Sequence, residues 1–374
     1  MSEAEIEGEL RGAIARLLRD RCGIETVAAL ADGPDQWDES LWRALTEVGV
    51  PGLPVGEEHG GGGAGFALAA AAQEELGRRL APVPTVSLVA VQAALMAAGS
   101  DVAERWLPRL TSGEVVAAVA TGRTADGWSA ADDVCATRGR DGWSLHGHVP
   151  IVADAPAAGL LLVACVTDDG DPGLFLTEID ASAGVHALEA LDPTRPLGGV
   201  TLDGPAERVT GPSGHDTVLA AAENAALVML AADMVGVGAE ATGLAVDHAK
   251  TRHQFGRAIG SFQAISHRAA DMFVAVESAR ALVAAAAGAL DEDPGSAETR
   301  IAVRLAAAQA VDAAVAATQG CVQIHGGMGF TWEHPAHRYL RRAKGAEALI
   351  AFPDRLREQA VTAVLHSRKE DSHA

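Results

Sequence analysis

Two changes of texture constrain the fold of this chain more than any single motif does. From 1 to about 112, helical runs alternate with turn formers. An acidic amphipathic start leads to a break at Asp32-Gly33-Pro34, then a helix through Trp42 and Leu45, the loop Pro51-Gly52-Leu53-Pro54 and a glycine run from Gly60 to Gly63. Glycine and proline at that density exclude helix interior. Ala67 to Leu80, Val86 to Ala98 and Val102 to Leu110 are again helical in period. From Glu114 to Val209 the texture becomes short β-type runs between Asp, Gly and Pro: Val115 to Ala120, Trp143 to Val152, Leu160 to Val166, Leu174 to Ile179 and Val200 to Leu202. Several such runs in succession predict a small sandwich or barrel.

With Asp216 as a predicted N-cap, long helical segments return. Ile265, Ala269, Met272, Val276, Ala279 and Leu282 fall three and four apart, which predicts one buried stripe. Further helices are predicted from Ala297 to Val322, from Ala336 to Ala351 and after Pro353, so that four or five long, short-looped helices form a bundle. The expectation is therefore an α+β multidomain chain. It has an all-α domain over 1–112, a β domain over 113–213, a helical bundle over 214–368 and a polar, disordered tail over 369–374.

Composition narrows the partners. At 374 residues and 48% hydrophobic content the chain can bury more than one core. A formal charge of −21 opposes nucleic-acid binding, which needs a basic surface. No apolar run free of charge reaches the roughly 20 residues of a bilayer span, and the start of the chain is acidic where a signal peptide would be basic. These features predict a cytoplasmic protein without membrane association. Cys22, Cys135, Cys165 and Cys321 form no C-x-x-C pair, which predicts reduced, structural thiols.

Two stretches carry chemistry: Thr251-Arg252-His253-Gln254-Phe255-Gly256-Arg257-Ala258-Ile259-Gly260, and Gln323-Ile324-His325-Gly326-Gly327-Met328-Gly329-Phe330. Arg252 offers a fork of fixed charge for a pyrophosphate, and Gln254 and Gln263 have amides suited to phosphate, ribose or adenine. Phe255 can pack under a ring, and Gly326 and Gly327 let backbone amides approach a ligand. Taken singly, each motif serves equally as a helix C-cap or a tight turn.

Together, in this order and spacing, they resemble the two signatures of the acyl-CoA dehydrogenase flavoenzymes. Glu47-Val48-Gly49-Val50-Pro51-Gly52-Leu53 with Glu57-Glu58-His59-Gly60-Gly61, and Leu191-Asp192-Pro193-Thr194-Arg195-Pro196, extend the resemblance over nearly the whole chain. It implies an N-terminal all-α domain, a middle β-sandwich or barrel and a C-terminal four-helix bundle. It implies FAD as cofactor, with Arg252, Gln254, Phe255, Phe262, Gln263, Gln323, Gly326 and Gly327 on the ADP half, commonly of an FAD lying mainly in a neighbouring subunit. It also implies an acyl-CoA thioester as substrate and an electron-transfer acceptor.

The resemblance breaks where the family does its chemistry. Its commoner catalytic base, in a Tyr-Glu-Gly-Thr type turn, falls on Ile350; its alternative base falls on Ala226, and an arginine that accompanies the first base falls on Leu227. Neither base position can take a proton. The flavin-ring segment corresponds to Gly122-Arg123-Thr124-Ala125-Asp126-Gly127-Trp128, and the tryptophan that backs the flavin corresponds to Ile151.

Three readings remain open. The chain is the base-lacking subunit of an actinobacterial-type heteromeric acyl-CoA dehydrogenase, an α2β2 assembly with a sister subunit acting on a bulky or steroid-derived thioester. Or it is a self-sufficient homo-oligomer whose base has moved to Glu223, one helical turn before Ala226. Or it is a scaffold with the same fold and no catalysis. His325, Glu333 and His334 suggest no metal site, since Gly326, Gly327 and Pro335 interrupt the helix such ligands need. The basic run Arg338 to Lys344 is predicted to offset acidic neighbours.

Overall fold

The computed structural model describes residues 2–33, 37–140, 142–179, 184–350 and 352–371. Six helices come first: α1 (Glu3–Arg21), α2 (Ile24–Ala31), α3 (Glu39–Glu47), α4 (Gly65–Arg78), α5 (Thr85–Ala98) and α6 (Asp101–Thr111). The start of α1 is set by a capping box, in which the Ser2 hydroxyl accepts from the Glu5 N–H and the Glu5 carboxylate accepts from the Ser2 N–H.

Nine strands follow: β1 (Ala117–Ala120), β2 (Gly122–Thr124), β3 (Gly127–Ser129), β4 (Val134–Arg138), β5 (Trp143–Ala153), β6 (Leu160–Thr167), β7 (Pro172–Glu178), β8 (Val185–Leu188) and β9 (Leu197–Thr210). The path β6-β4-β5-β9-β7 returns to β6, so the sheet closes into a barrel, with β1 alongside β6 and β8 alongside β9. The period of two decides its two cores. Leu161, Val163 and Cys165 of β6 point into the barrel with Phe175 and Leu145, whereas Leu160, Leu162 and Ala164 pack outward against Leu95 of α5 and Leu107 of α6.

The remaining elements are α7 (Pro212–Thr251), a short hairpin of β10 (His253–Gln254) and β11 (Arg257–Ala258), α8 (Gln263–Glu292), α9 (Ala297–His325), α10 (Ala336–Ile350) and α11 (Pro353–Asp371). The 40-residue α7 is the axis of the molecule, packing on α8 and α9 of the bundle and on α4 and α5 of the N-terminal domain. Its crossing with α4 is close enough to require two glycines. A Cβ on Gly236 would sit 2.1 Å from the Glu74 carbonyl oxygen, and one on Gly77 2.3 Å from that of Asp233.

Several expectations change. α7 starts at Pro212 behind Gly211, not at an Asp216 cap, because proline at the first helical position presets φ and loses no hydrogen bond there. The strand expected at Val200 to Leu202 runs for 14 residues, since pairing with β5, β7 and β8 overrides the turn propensity of Gly198, Gly199 and Gly204. The stripe on α8 passes through Met272, Val276 and Ala279 to Val283, and Leu282 is exposed on another face. The last helix continues to Asp371, into the segment expected as a disordered tail, whose residues 372–374 lie outside the described ones. Although no charge-free run is long enough to span a bilayer, α7, α8 and the α9 segment to Phe330 are by length and composition apolar enough to do so. In α7, 83% of the apolar window is buried within the fold; in α8 only 33% is.

Candidate active site

Where α5, the barrel and α7 meet, they enclose a cleft of about 430 Å3. Val86 and Ala90 come from α5, Val119 and Ile151 from the barrel, Ala226 and Leu227 from α7, and Leu349 from the last turn of α10. The positions at which the sequence departs from the family pattern are thus brought together. Ala226, Leu227, Ile151, Gly122, Arg123 and Trp128 all line this one space. Ile350 ends α10 next to Leu349, and its side chain lies outside the described residues. Arg123 of β2 donates to the Leu349 carbonyl, tying the barrel hairpin to the end of α10.

Glu223 does not line the cleft. It is buried; Oε2 accepts from Arg304 Nη2 at 3.1 Å, and Oε1 accepts from the backbone N–H of Trp128 at 3.2 Å. A Cβ on Gly127, at φ 131°, would sit 2.6 Å from the same carboxylate. Glu223 therefore anchors the β2–β3 hairpin to α7 and α9, which corrects the expectation that it projects into the cavity as a relocated base. The geometry explains it: residues one turn apart share a helix face only approximately, and here Arg304 claims the carboxylate.

The carboxyl groups that do line the cleft are Asp132, Asp133 and Asp154, all from the barrel domain. Asp132 and Asp133 are exposed, in the turn before β4. Asp154 is buried, left-handed at φ 59°, and accepts from Ser87 Oγ at 2.5 Å. Burial pushes its carboxyl above the ordinary range, against the Ser87 hydrogen bond and the charges of Arg195 and Arg342. Sequence reasoning missed Ser87, Asp154 and Arg195 as a set, because they come from α5, the end of β5 and the segment before β9.

Behind this wall lies a buried ionic network. Arg342 donates from Nε and Nη2 to the two Asp233 oxygens at 3.1 Å each and from Nη1 to Thr194 Oγ1 at 2.9 Å. Arg195 Nη2 lies 2.7 Å from Asp233 Oδ2. Burial alone would raise the Asp233 pKa, but the two guanidinium groups hold it down at about 2. Three members of the basic run 338–344 pair with acidic residues as expected: Arg338 with Asp32, Arg342 with Asp233 and Asp192, Lys344 with Glu347.

The two signature stretches converge at the other end of the bundle. His248, one turn before Arg252, packs at a tilt of 30° on His325, next to Gly326, with ring centroids 4.3 Å apart; His325 packs in turn on His334 at 4.3 Å and a tilt of 49°. His325 Nδ1 donates to the Cys321 carbonyl at 2.8 Å. Burial, and then the neighbouring imidazoles, lower the pKa of His248 and His334. Among the described residues no group of three His, Cys, Asp or Glu side chains is placed to hold a metal.

Around this cluster Arg252, Gln254, Gln263 and Gln323 are exposed, Phe255 is 92% exposed at φ 51°, and a Cβ on Gly326 or Gly327 would meet nothing within 4 Å. Phe262 is more covered, with Arg257 4.1 Å above its ring. A guanidinium, three amides, an uncovered ring and an open glycine edge form a donor set that fits the pyrophosphate and adenosine of a dinucleotide. None of these residues lines the cleft.

Residues 5–114 match the family model for the N-terminal domain of acyl-CoA dehydrogenase, and residues 215–349 that for its C-terminal domain. The chain is 33% identical over 354 residues to the acyl-CoA dehydrogenase IpdE2 of Mycobacterium tuberculosis, covering 94% of this chain and 95% of that one. Among solved structures, a chain of a variant of the Tcur3481-Tcur3483 steroid ACAD superposes with a TM-score of 0.86 at 26% identity, covering 98% of this chain and 100% of that one. A chain of the ChsE4-ChsE5 complex from Mycobacterium tuberculosis superposes at 0.82 with 29% identity, covering 100% and 98%.

Proposed function

The chain belongs to the acyl-CoA dehydrogenase family, and we propose that it acts there as the base-lacking subunit of a hetero-oligomeric, FAD-dependent enzyme that places an α,β double bond in an acyl-CoA thioester. One observation carries the reading: the cleft meets Ala226 and Leu349, in the last turn of α10 next to Ile350, where the family keeps its proton acceptor, while the dinucleotide-binding set at the far end of the bundle is uncovered.

The reaction needs a carboxylate to remove the proton beside the thioester carbonyl. FAD, when bound, supplies the acceptor for the β-hydride. In this chain Arg252, Gln254, Phe255, Phe262, Gln263, Gln323, Gly326 and Gly327 hold its ADP half, and the base and ring site belong to a sister subunit. The similar Tcur3481-Tcur3483 and ChsE4-ChsE5 proteins are named as pairs of chains, which supports a heteromer, here an α2β2 one. The steroid named for the first of them supports a bulky, steroid-derived acyl group. An electron-transfer acceptor in the cytoplasm completes the reading.

The self-sufficient alternative loses its base with Glu223 bound to Arg304 and the Trp128 amide. A scaffold without flavin gives no reason to keep Arg252 exposed. Arg252→Met in the co-expressed complex tests the assignment. Loss of a charge-assisted hydrogen bond, about 1.5–3 kcal/mol, lowers FAD affinity by tenfold or more and leaves the assembled mass unchanged. A flavin content that survives dialysis as well as that of the parent complex contradicts it.

A further inference from the structure

The imidazole cluster at the dinucleotide end is built on the two helix ends that carry the signatures. His248 lies in the last turn of α7 and His325 in the last turn of α9. The Arg252 N–H donates to the His248 carbonyl at 2.8 Å, so the guanidinium-bearing residue and the imidazole share one turn. Each helix directs its carbonyl end, worth about half a negative charge, toward this edge. A diphosphate is disfavoured at such ends unless cations stand between. Arg252 supplies one.

The three imidazoles differ in their freedom to supply another. His325 is buried and spends Nδ1 on the Cys321 carbonyl. His334 Nδ1 accepts from the Ala336 N–H at 3.2 Å, a bond that a proton on that nitrogen would break. His248 is half-buried, and its ring has no hydrogen-bond partner among the described residues. The titratable and charged groups facing the cluster are Arg252 from α7, Cys321 from α9 and His337 from α10. Asp247, beside His248, pairs with Lys250, and the fully exposed Glu333 carboxylate is bonded to Thr331. Burial, and then the charges of His325 and Arg252, hold the His248 pKa below its ordinary value. An anion seated on Arg252 cancels the last of these and adds an attraction of its own.

We propose that His248 is a positioning residue whose imidazole takes up a proton when a dinucleotide diphosphate binds at Arg252, so that the site grips its ligand more tightly in mild acid. The proposal rests on the reading that Arg252 meets the diphosphate. The sign follows from linkage: the bound state holds the proton more tightly than the free one. The extra affinity is therefore complete below the free-state pKa and lost as pH rises through the bound-state one.

The test titrates FAD into the co-expressed complex after its flavin has been removed, at pH 5.5 and pH 7.5. FAD itself changes no charge between these values. The expected result is binding about threefold or more tighter at pH 5.5. Net proton uptake at pH 6.5 is expected as well, read as a binding heat that differs between buffers of unlike ionisation enthalpy. His248→Gln, which stays polar and cannot take a proton, is expected to abolish both effects. A merely structural histidine would instead weaken binding equally at both pH values. Parent binding that is the same at both, or tighter at pH 7.5, overturns the proposal, and so does a His248→Gln complex that keeps the parent's pH slope. Should that variant fail to assemble, the parent's slope and buffer-dependent heat decide alone. A parent complex that binds no FAD at either pH removes the site reading together with the proposal, so the two failures are told apart.

Discussion

At the scale of single residues, chemistry follows from who claims each side chain. Glu223 and Asp154 are both buried carboxyls near the same cleft; Arg304 holds one as a strut, and the other faces the cavity beside Ser87 and Arg195. Sequence made Arg252, Phe255 and the glycines legible, because motif residues lie next to one another in the chain. Ser87, Asp154 and Arg195 were not, since packing alone brings together residues so far apart. The histidine cluster yields a prediction of the same kind. His248 and His334 have lowered pKa values, so the unfolded chain binds more protons than the folded one as pH falls below the unfolded histidine value of about 6.5. Their contribution to stability is complete above that pH and lost as pH falls toward the depressed folded values. The melting temperature is expected to drop between pH 7.5 and 5.5, and His334→Gln to make the drop shallower; a slope unchanged by that substitution contradicts the assignment.

At the scale of elements, helix periods and turn formers located the helices well, because amphipathic spacing and capping are local. The barrel was harder. β4 (Val134–Arg138) and β8 (Val185–Leu188) are short and take their conformation from partners distant in sequence, and the full length of β9 was hidden by its glycines. Leu282 shows how little separates a buried stripe from its neighbour, since Val283 takes the place that the spacing assigned to it. The crossing of α4 and α7 gives a contrast on one helix. Gly236→Ala drives a methyl into the α4 backbone and is expected to cost about 1–3 kcal/mol. Gly243→Ala, exposed on the same α7 with nothing within 4 Å, is expected to gain about 0.5–1 kcal/mol. Urea midpoints of the two variants check both signs, and a neutral Gly236→Ala contradicts the close crossing.

At the scale of the molecule, the chain keeps the architecture of its family. The network of Arg342, Asp233, Arg195 and Asp192 joins α10, α7 and the segment before β9 behind a cleft that has no proton acceptor at the family's positions. α8 turns Phe273, Val274 and Leu282 outward, and Phe255 is almost wholly uncovered. Exposed apolar side chains of this kind are common where a surface meets a partner. The sequence carried the family, whereas an interaction surface is assembled by the fold and has no motif of its own.

The most direct measurement is the flavin absorbance and solution mass of the chain expressed alone and co-expressed with a base-bearing homologue. The account predicts a colourless protein alone, and a yellow hetero-oligomer that oxidises acyl-CoA after co-expression. A yellow homo-oligomer that bleaches when acyl-CoA is added to the chain alone would contradict it.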